Sequence, residues 1–132
     1  MSALIEKSAS EYVLGYEAMD QTHFEFIDLI NQLGSARGEE FQVLFAQLVA
    51  HTEQHFETEN SWMEQSAFPA KAEHLGEHMR VLNDLRQFHT RVQRGSLSLA
   101  KAFISQQIPE WFKLHAATMD AALATHLKEK NL

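Results

Sequence analysis

The stretch AEHLGEHMRVLNDLRQFHTRVQR, residues 72–94, carries Leu75, Met79, Leu82, Leu85 and Val92 at intervals of three, four and seven residues. Such intervals return to one face of an α-helix every turn or two. Gly95 follows and marks the end of the helix. The stretch also opens with His74 and His78, four residues apart, with Glu77 just before the second. Taken alone, HLGEH (74–78) has three meanings. It is the H-x-x-E-H pattern of a zinc protease, half of a metal site completed elsewhere, or a polar patch of helix.

The pattern extends in both directions. Phe24, Ile27, Ile30 and Leu33 recur at helical spacing after Asp20, which is expected to cap that helix, and GSARG (34–38) ends it. Phe41, Leu44, Phe45, Leu48, Val49, Phe56 and Met63 mark a second helix, broken near Pro69 in SAFPAKA (66–72). A fourth begins near Ser96 or Ser98 and carries Leu99, Phe103, Ile108, Trp111, Phe112, Met119, Leu123 and Leu127. Pro109 falls inside it and predicts a kink or interruption. No segment alternates with period two. The expected fold is all-α: an antiparallel up-down four-helix bundle over 20–132, preceded by an N-terminal arm over 1–19. Tyr12, Val13, Leu14 and Tyr16 are expected to pack that arm on the bundle.

Composition narrows the chemistry. The 132 residues are 45% hydrophobic and 22% charged, as in a globular domain. There is no Cys, so thiolate metal sites and disulfides are excluded. The net charge of −7, with no basic stripe, argues against nucleic acid. The N-terminus lacks a signal-peptide pattern and no apolar run is long enough to span a bilayer, so the expected compartment is the cytoplasm, with no membrane partner. Eight His are present, and any transition metal would have to use imidazole and carboxylate.

Placed on the four helices, the ionisable residues converge. His23 is on the first, His55 and Glu59 on the second, His74 and His78 on the third, His115 and Asp120 on the fourth. Residues four apart share a helix face, about 6 Å apart along the axis. Antiparallel neighbours mirror about their connecting turn. Reflection through the turn near Phe68 sends the His55–Glu59 pair to about residue 79, and reflection through Gly95 sends the His74–His78 pair to about residue 114. The first turn brings His23 within about a turn of His55. All four helices therefore offer ligands at one height. His115 and Asp120 fit less well, because five residues turn about 140° on an ideal helix. Either the helix is distorted or Asp120 reaches in from the flank. Five imidazoles and two carboxylates exceed one tetrahedral zinc and suit two octahedral ions sharing bridges. His51, His89 and His126 read as surface or hydrogen-bonded residues.

The blocks MDQTHFEF, HFETENSWM, HLGEH and WFKLHAATMD, in this order, resemble the hemerythrin family in its bacterial form, over residues 12–127. The resemblance implies a cofactor of two iron ions joined by an oxo or hydroxo bridge. His74, His78 and His115 would hold one iron and His23 and His55 the other, with Glu59 and Asp120 bridging. It implies reversible O2 binding, from a diferrous deoxy to a diferric hydroperoxo form, for storage, delivery or sensing. The ligand is O2, and no catalytic residue is needed. Phe56, Met63, Trp111 and Phe112 are the candidate wall of the O2 pocket. Two departures stand out. Asn60 replaces the second Glu of the family's H-F-x-x-E-E, and Phe112 replaces the Leu of W-L-x-x-H.

Three other functions compete. A di-iron redox enzyme acting on O2, peroxide or NO would share the bundle, although such sites are richer in carboxylates. A zinc protease needs a third ligand and a cleft. A signalling module would need a separate protein partner, because no linker or second domain is read in the chain.

Overall fold

The computed structural model describes residues 3–7, 9 and 12–132. Four helical rods follow one another: α1 Glu17–Ser35, α2 Gly38–Gln65, α3 Lys71–Gln93, and α4 from Ser98 to Glu129. There is no strand among the described residues, and no described helix is long and apolar enough to cross a membrane. Consecutive rods pack on each other, and α4 closes back on α1. The connections at 36–37, 66–70 and 94–97 are too short for anything but antiparallel neighbours. The result is the expected up-down four-helix bundle.

The rod α4 is not uniform. Its α-helical pieces Ser98–Ala102, Ile108–His115 and Ala121–Glu129 are joined by π-helical segments Phe103–Gln107 and Ala116–Asp120. At the end of the first, the Ile108 N–H donates to the Phe103 carbonyl, five residues back. Pro109 follows directly and has no N–H to place in an α ladder. The interruption expected at the proline therefore takes the form of a widened turn just before it.

Two helix ends share one geometry. After α3, the Ser96 N–H reaches the Arg91 carbonyl and the Gly95 N–H the Val92 carbonyl, with Gly95 at φ +86°. This is the Schellman arrangement, in which glycine takes the left-handed position without steric cost. After α2 the same two bonds run from Phe68 to Met63 and from Ala67 to Glu64, but the left-handed residue is Ala67, at φ +53°.

The N-terminal segment differs in detail from expectation. Helix α1 begins at Glu17, about a turn before the expected start, and its N-cap position is Tyr16. Asp20 does not cap it. Its carboxylate reaches back and accepts the N–H groups of Leu14 (2.7 Å) and Gly15 (3.0 Å). The expected arm over 1–19 includes residues 1, 2, 8, 10 and 11, which lie outside the described residues. Of the rest, Ile5 exchanges two hydrogen bonds with the Asn31 side chain, each 3.0 Å. Gly34 makes room for the same segment, since a Cβ there would stand 2.8 Å from Leu4 Cδ1. Tyr12 is buried with its ring stacked on Phe112, and Tyr16 meets Trp62 edge-on.

The apolar stripes largely face inward, with two corrections. Met79 and Leu99, assigned to the core by spacing, are 65% and 55% exposed. Val81 and Phe26 occupy the buried positions, while Phe24 is only partly buried beneath the Lys7 ammonium. The core divides into a large cluster that includes Phe26, Phe56, Val81 and Phe112, and a smaller one of Met19, Met63, Phe68, Leu123, Ala124 and Leu127.

Candidate metal centre

The two apolar clusters are separated by a polar layer. Along α1, His23 lies between Met19 and Phe26. Along α2, Glu59 lies between Phe56 and Met63, and along α4, His115 and Asp120 lie between Phe112 and Leu123. Helix α3 enters at this level with His74 and His78 before Val81. All seven residues are at most 5% exposed. Ionisable groups are seldom buried this deeply unless paired or bound to metal.

The carboxylate oxygens sort the imidazoles into two sets. Glu59 Oε2 lies 2.8 Å from His55 Nε2 and 3.9 Å from His23 Nε2, while Asp120 Oδ2 lies 2.9 Å from His23 Nε2. The other oxygens face the opposite way. Glu59 Oε1 is 3.1 Å from His78 Nε2 and 3.3 Å from His74 Nε2. Asp120 Oδ1 is 3.1 Å from both His74 Nε2 and His115 Nε2. Each carboxylate thus spans a side with two histidines and a side with three.

Asp120 reaches this position through the π-helical segment Ala116–Asp120, where the Ala121 N–H bonds to the Ala116 carbonyl. In a π turn, residues five apart come back to the same face. Of the two arrangements open for the His115–Asp120 spacing, the structure adopts the local distortion.

The residues fit a metal. Ligand atoms of Glu59, His74, His78, His115 and Asp120 lie within 4.8 Å of one another, as do those of His23, His55 and Glu59. His23 Nε2, His74 Nε2, His78 Nε2, His115 Nε2, Glu59 Oε1 and both Asp120 oxygens are buried without a hydrogen-bond partner. Donor atoms left this way are costly unless a cation satisfies them. The set is hard-to-intermediate nitrogen and oxygen, suited to a first-row transition metal.

The protein groups also perturb one another. Burial would lower the His74 imidazole, but the Asp120 and Glu59 carboxylates outweigh it and raise it to about 9. His23 is raised in the same way, against burial, chiefly by Asp120. Burial raises both carboxylates, yet the surrounding imidazoles hold Glu59 and Asp120 well below the usual range. His78 is lowered by burial.

Aromatic rings enclose the layer unevenly. The Phe112 and His23 rings meet at right angles (5.1 Å), and Phe112 packs on Phe26 (4.6 Å), on the two-histidine side. Phe56 stacks on His78 at 3.8 Å and Trp111 on His115 at 4.7 Å, on the three-histidine side. Met63 is fully buried but belongs to the smaller cluster, across the polar layer from Phe112. Of the four residues expected to line one pocket, Phe56, Trp111 and Phe112 form a continuous run of rings, 6.4 and 6.2 Å between neighbours, and Met63 lies apart from them.

Several roles were not visible in the chain. Glu77, the catalytic base of the protease reading, accepts bonds from Trp111 Nε1 (2.6 Å) and Arg80 (2.8 Å), outside the cluster. Asn60 Oδ1 lies 3.0 Å from His78 Nδ1. Its position one residue after Glu59 offered no signal of that contact. His126 donates to the Ser66 carbonyl, His89 stacks on Phe45, and His51 is half-buried near Glu25. None of the three joins the cluster.

Over 117 residues the chain is 35% identical to a bacteriohemerythrin of Ralstonia nicotianae, covering 89% of this chain and 85% of that protein. No solved structure gives a significant match. The hemerythrin HHE cation binding domain matches residues 14–131, nearly the whole bundle. The chain belongs to the hemerythrin family.

Proposed function

We propose that this protein binds two iron ions and takes up O2 reversibly, as a carrier, store or sensor and not as an enzyme. The observation that carries this reading is the division of the carboxylate oxygens between two unequal histidine sets. His74, His78 and His115 would hold one iron, His23 and His55 the other, and Glu59 and Asp120 would bridge them. The two-histidine side is one protein donor short, which leaves a position for an exogenous ligand. The relative named bacteriohemerythrin supports the same reading.

When bound, two ferrous ions supply the two electrons that O2 uptake needs. The chain's own residues supply the surroundings. The polar layer is sealed above and below by apolar clusters, which keep bulk water and stray protons away. Phe112 and Phe26 wall the two-histidine side, where a small neutral ligand would lodge. Five imidazoles against two carboxylates favour binding over oxidation chemistry, because carboxylate-rich sites are those that support oxidising iron.

The test is an absorption spectrum paired with metal analysis. Protein from iron-supplemented cells is recorded reduced without air, after O2, and after O2 removal. Two irons per chain and a colour that reverses on removal are expected. A single irreversible oxidation would favour a di-iron redox enzyme. Zinc, or no metal, would overturn the proposal.

A further inference from the structure

The five clustered imidazoles differ in what holds their far nitrogens. His23, His55, His74 and His115 each have a buried Nδ1 with no hydrogen-bond partner. His78 Nδ1 instead faces the side-chain oxygen of Asn60 at 3.0 Å. The His78 ring is also held flat against Phe56, at 3.8 Å with an interplanar angle of 4°. Its Nε2 lies 3.1 Å from Glu59 Oε1.

A neutral imidazole carries one N–H, and the nitrogen that carries it cannot bind a metal. An acceptor at Nδ1 therefore selects the form whose Nε2 lone pair is free. Asn60 can supply that acceptor without adding a charge, whereas a carboxylate there would also make the imidazole more basic. We infer that Asn60 is a positioning residue for the metal on the three-histidine side: it accepts the Nδ1–H of His78 and commits Nε2 to the metal. The inference rests on the ligand assignment above, but not on iron as the metal or on O2 as the ligand.

The experiment compares full-length wild type, Asn60→Leu and Asn60→Asp. One arm uses Zn(II)-loaded protein with 15N-labelled histidine, where the diamagnetic ion stands in for iron. The wild type should show a slowly exchanging His78 proton on Nδ1. Asn60→Leu should lose it and Asn60→Asp should keep it. The second arm follows iron retention against a chelator, with the thermal midpoint checked for each variant. Asn60→Leu should release iron about 10–100-fold more readily, while Asn60→Asp should hold it and shift to a lower reduction potential. Should Asn60→Leu match wild type in both arms, the proposal fails. It also fails if Asn60→Asp behaves like Asn60→Leu, which would make the contact mere packing, or if the wild-type proton sits on Nε2. Loss of reversible O2 uptake with the Nδ1 proton in place would sink the functional proposal and leave this one supported.

Discussion

Asp120 Oδ1 lies 3.1 Å from His115 Nε2, five residues before it on the same helix, because the segment between them is π-helical. A π turn is equivalent to one extra residue in an α-helix. Deleting the exposed Ala117 should restore α geometry and leave the carboxylate four residues after His115, still on its face. The deletion variant is expected to keep two metal ions per chain by elemental analysis. Loss of metal with helicity intact would mean that the π geometry itself, beyond the shared face, is required.

The division of ligands predicts unequal effects of single substitutions. Glu59→Ala removes an oxygen from both sides and should abolish binding of the metal pair. His55→Ala touches only the two-histidine side and should leave about one metal per chain, while His78→Ala should lose the three-histidine ion and reversible O2 uptake. Metal-to-protein ratios after gel filtration decide this. Equal losses for His55→Ala and Glu59→Ala would contradict a bridging role for the glutamate.

Phe112 is buried between His23, Phe26 and Tyr12. Phe112→Leu should open the wall beside the two-histidine side at a stability cost on the order of 1–2 kcal/mol. Flash photolysis or stopped flow should show altered O2 association and release, with metal content unchanged. Identical rates would show that the ring does not border the ligand position.

Metal uptake should release protons at neutral pH. Without metal, the His74 imidazole titrates at about 9, so it is protonated at pH 7 and must lose that proton to donate a lone pair. His23 is shifted in the same direction. Apparent affinity should therefore rise as pH increases toward about 9, and proton release, followed with an indicator in weak buffer, should fade above it. Affinity that is flat between pH 7 and 9 would rule this out.

Two opposite substitutions should both stabilise the fold. Gly76 lies mid-helix in α3, and a Cβ there meets nothing within 4 Å. Gly76→Ala should add about 1 kcal/mol by helix propensity. Ala67 stands at φ +53°, where Ala67→Gly relieves a left-handed strain of about 1 kcal/mol. Each should raise the midpoint of thermal unfolding of the metal-free chain by a few degrees. A fall for either would contradict the local conformation described.

Much of this architecture is written locally. The stripes Ile27–Ile30–Leu33, Phe41–Phe45–Leu48 and Leu85–Val92 specify helices because burial follows a 3.6-residue period. Gly95 stops α3 because only the left-handed residue completes its last two bonds. The pairs His55–Glu59 and His74–His78 announce shared faces because four residues make about one turn. What spacing could not supply depends mainly on distances between rods. Met79 and Leu99 match the period but miss the neighbouring helix, so they stay in water. Asp20 looks like a cap in the chain, yet its carboxylate serves the N–H groups of Leu14 and Gly15, six and five residues back, a local turn that the helical period does not encode. Asn60 meets His78 eighteen residues away because α2 and α3 lie side by side. The sorting of the Glu59 and Asp120 oxygens between two and three histidines is likewise tertiary. Local sequence chose which residues face inward, and the packing of four rods decided which atom faces which, because those contacts cross between helices whose separation no local period encodes.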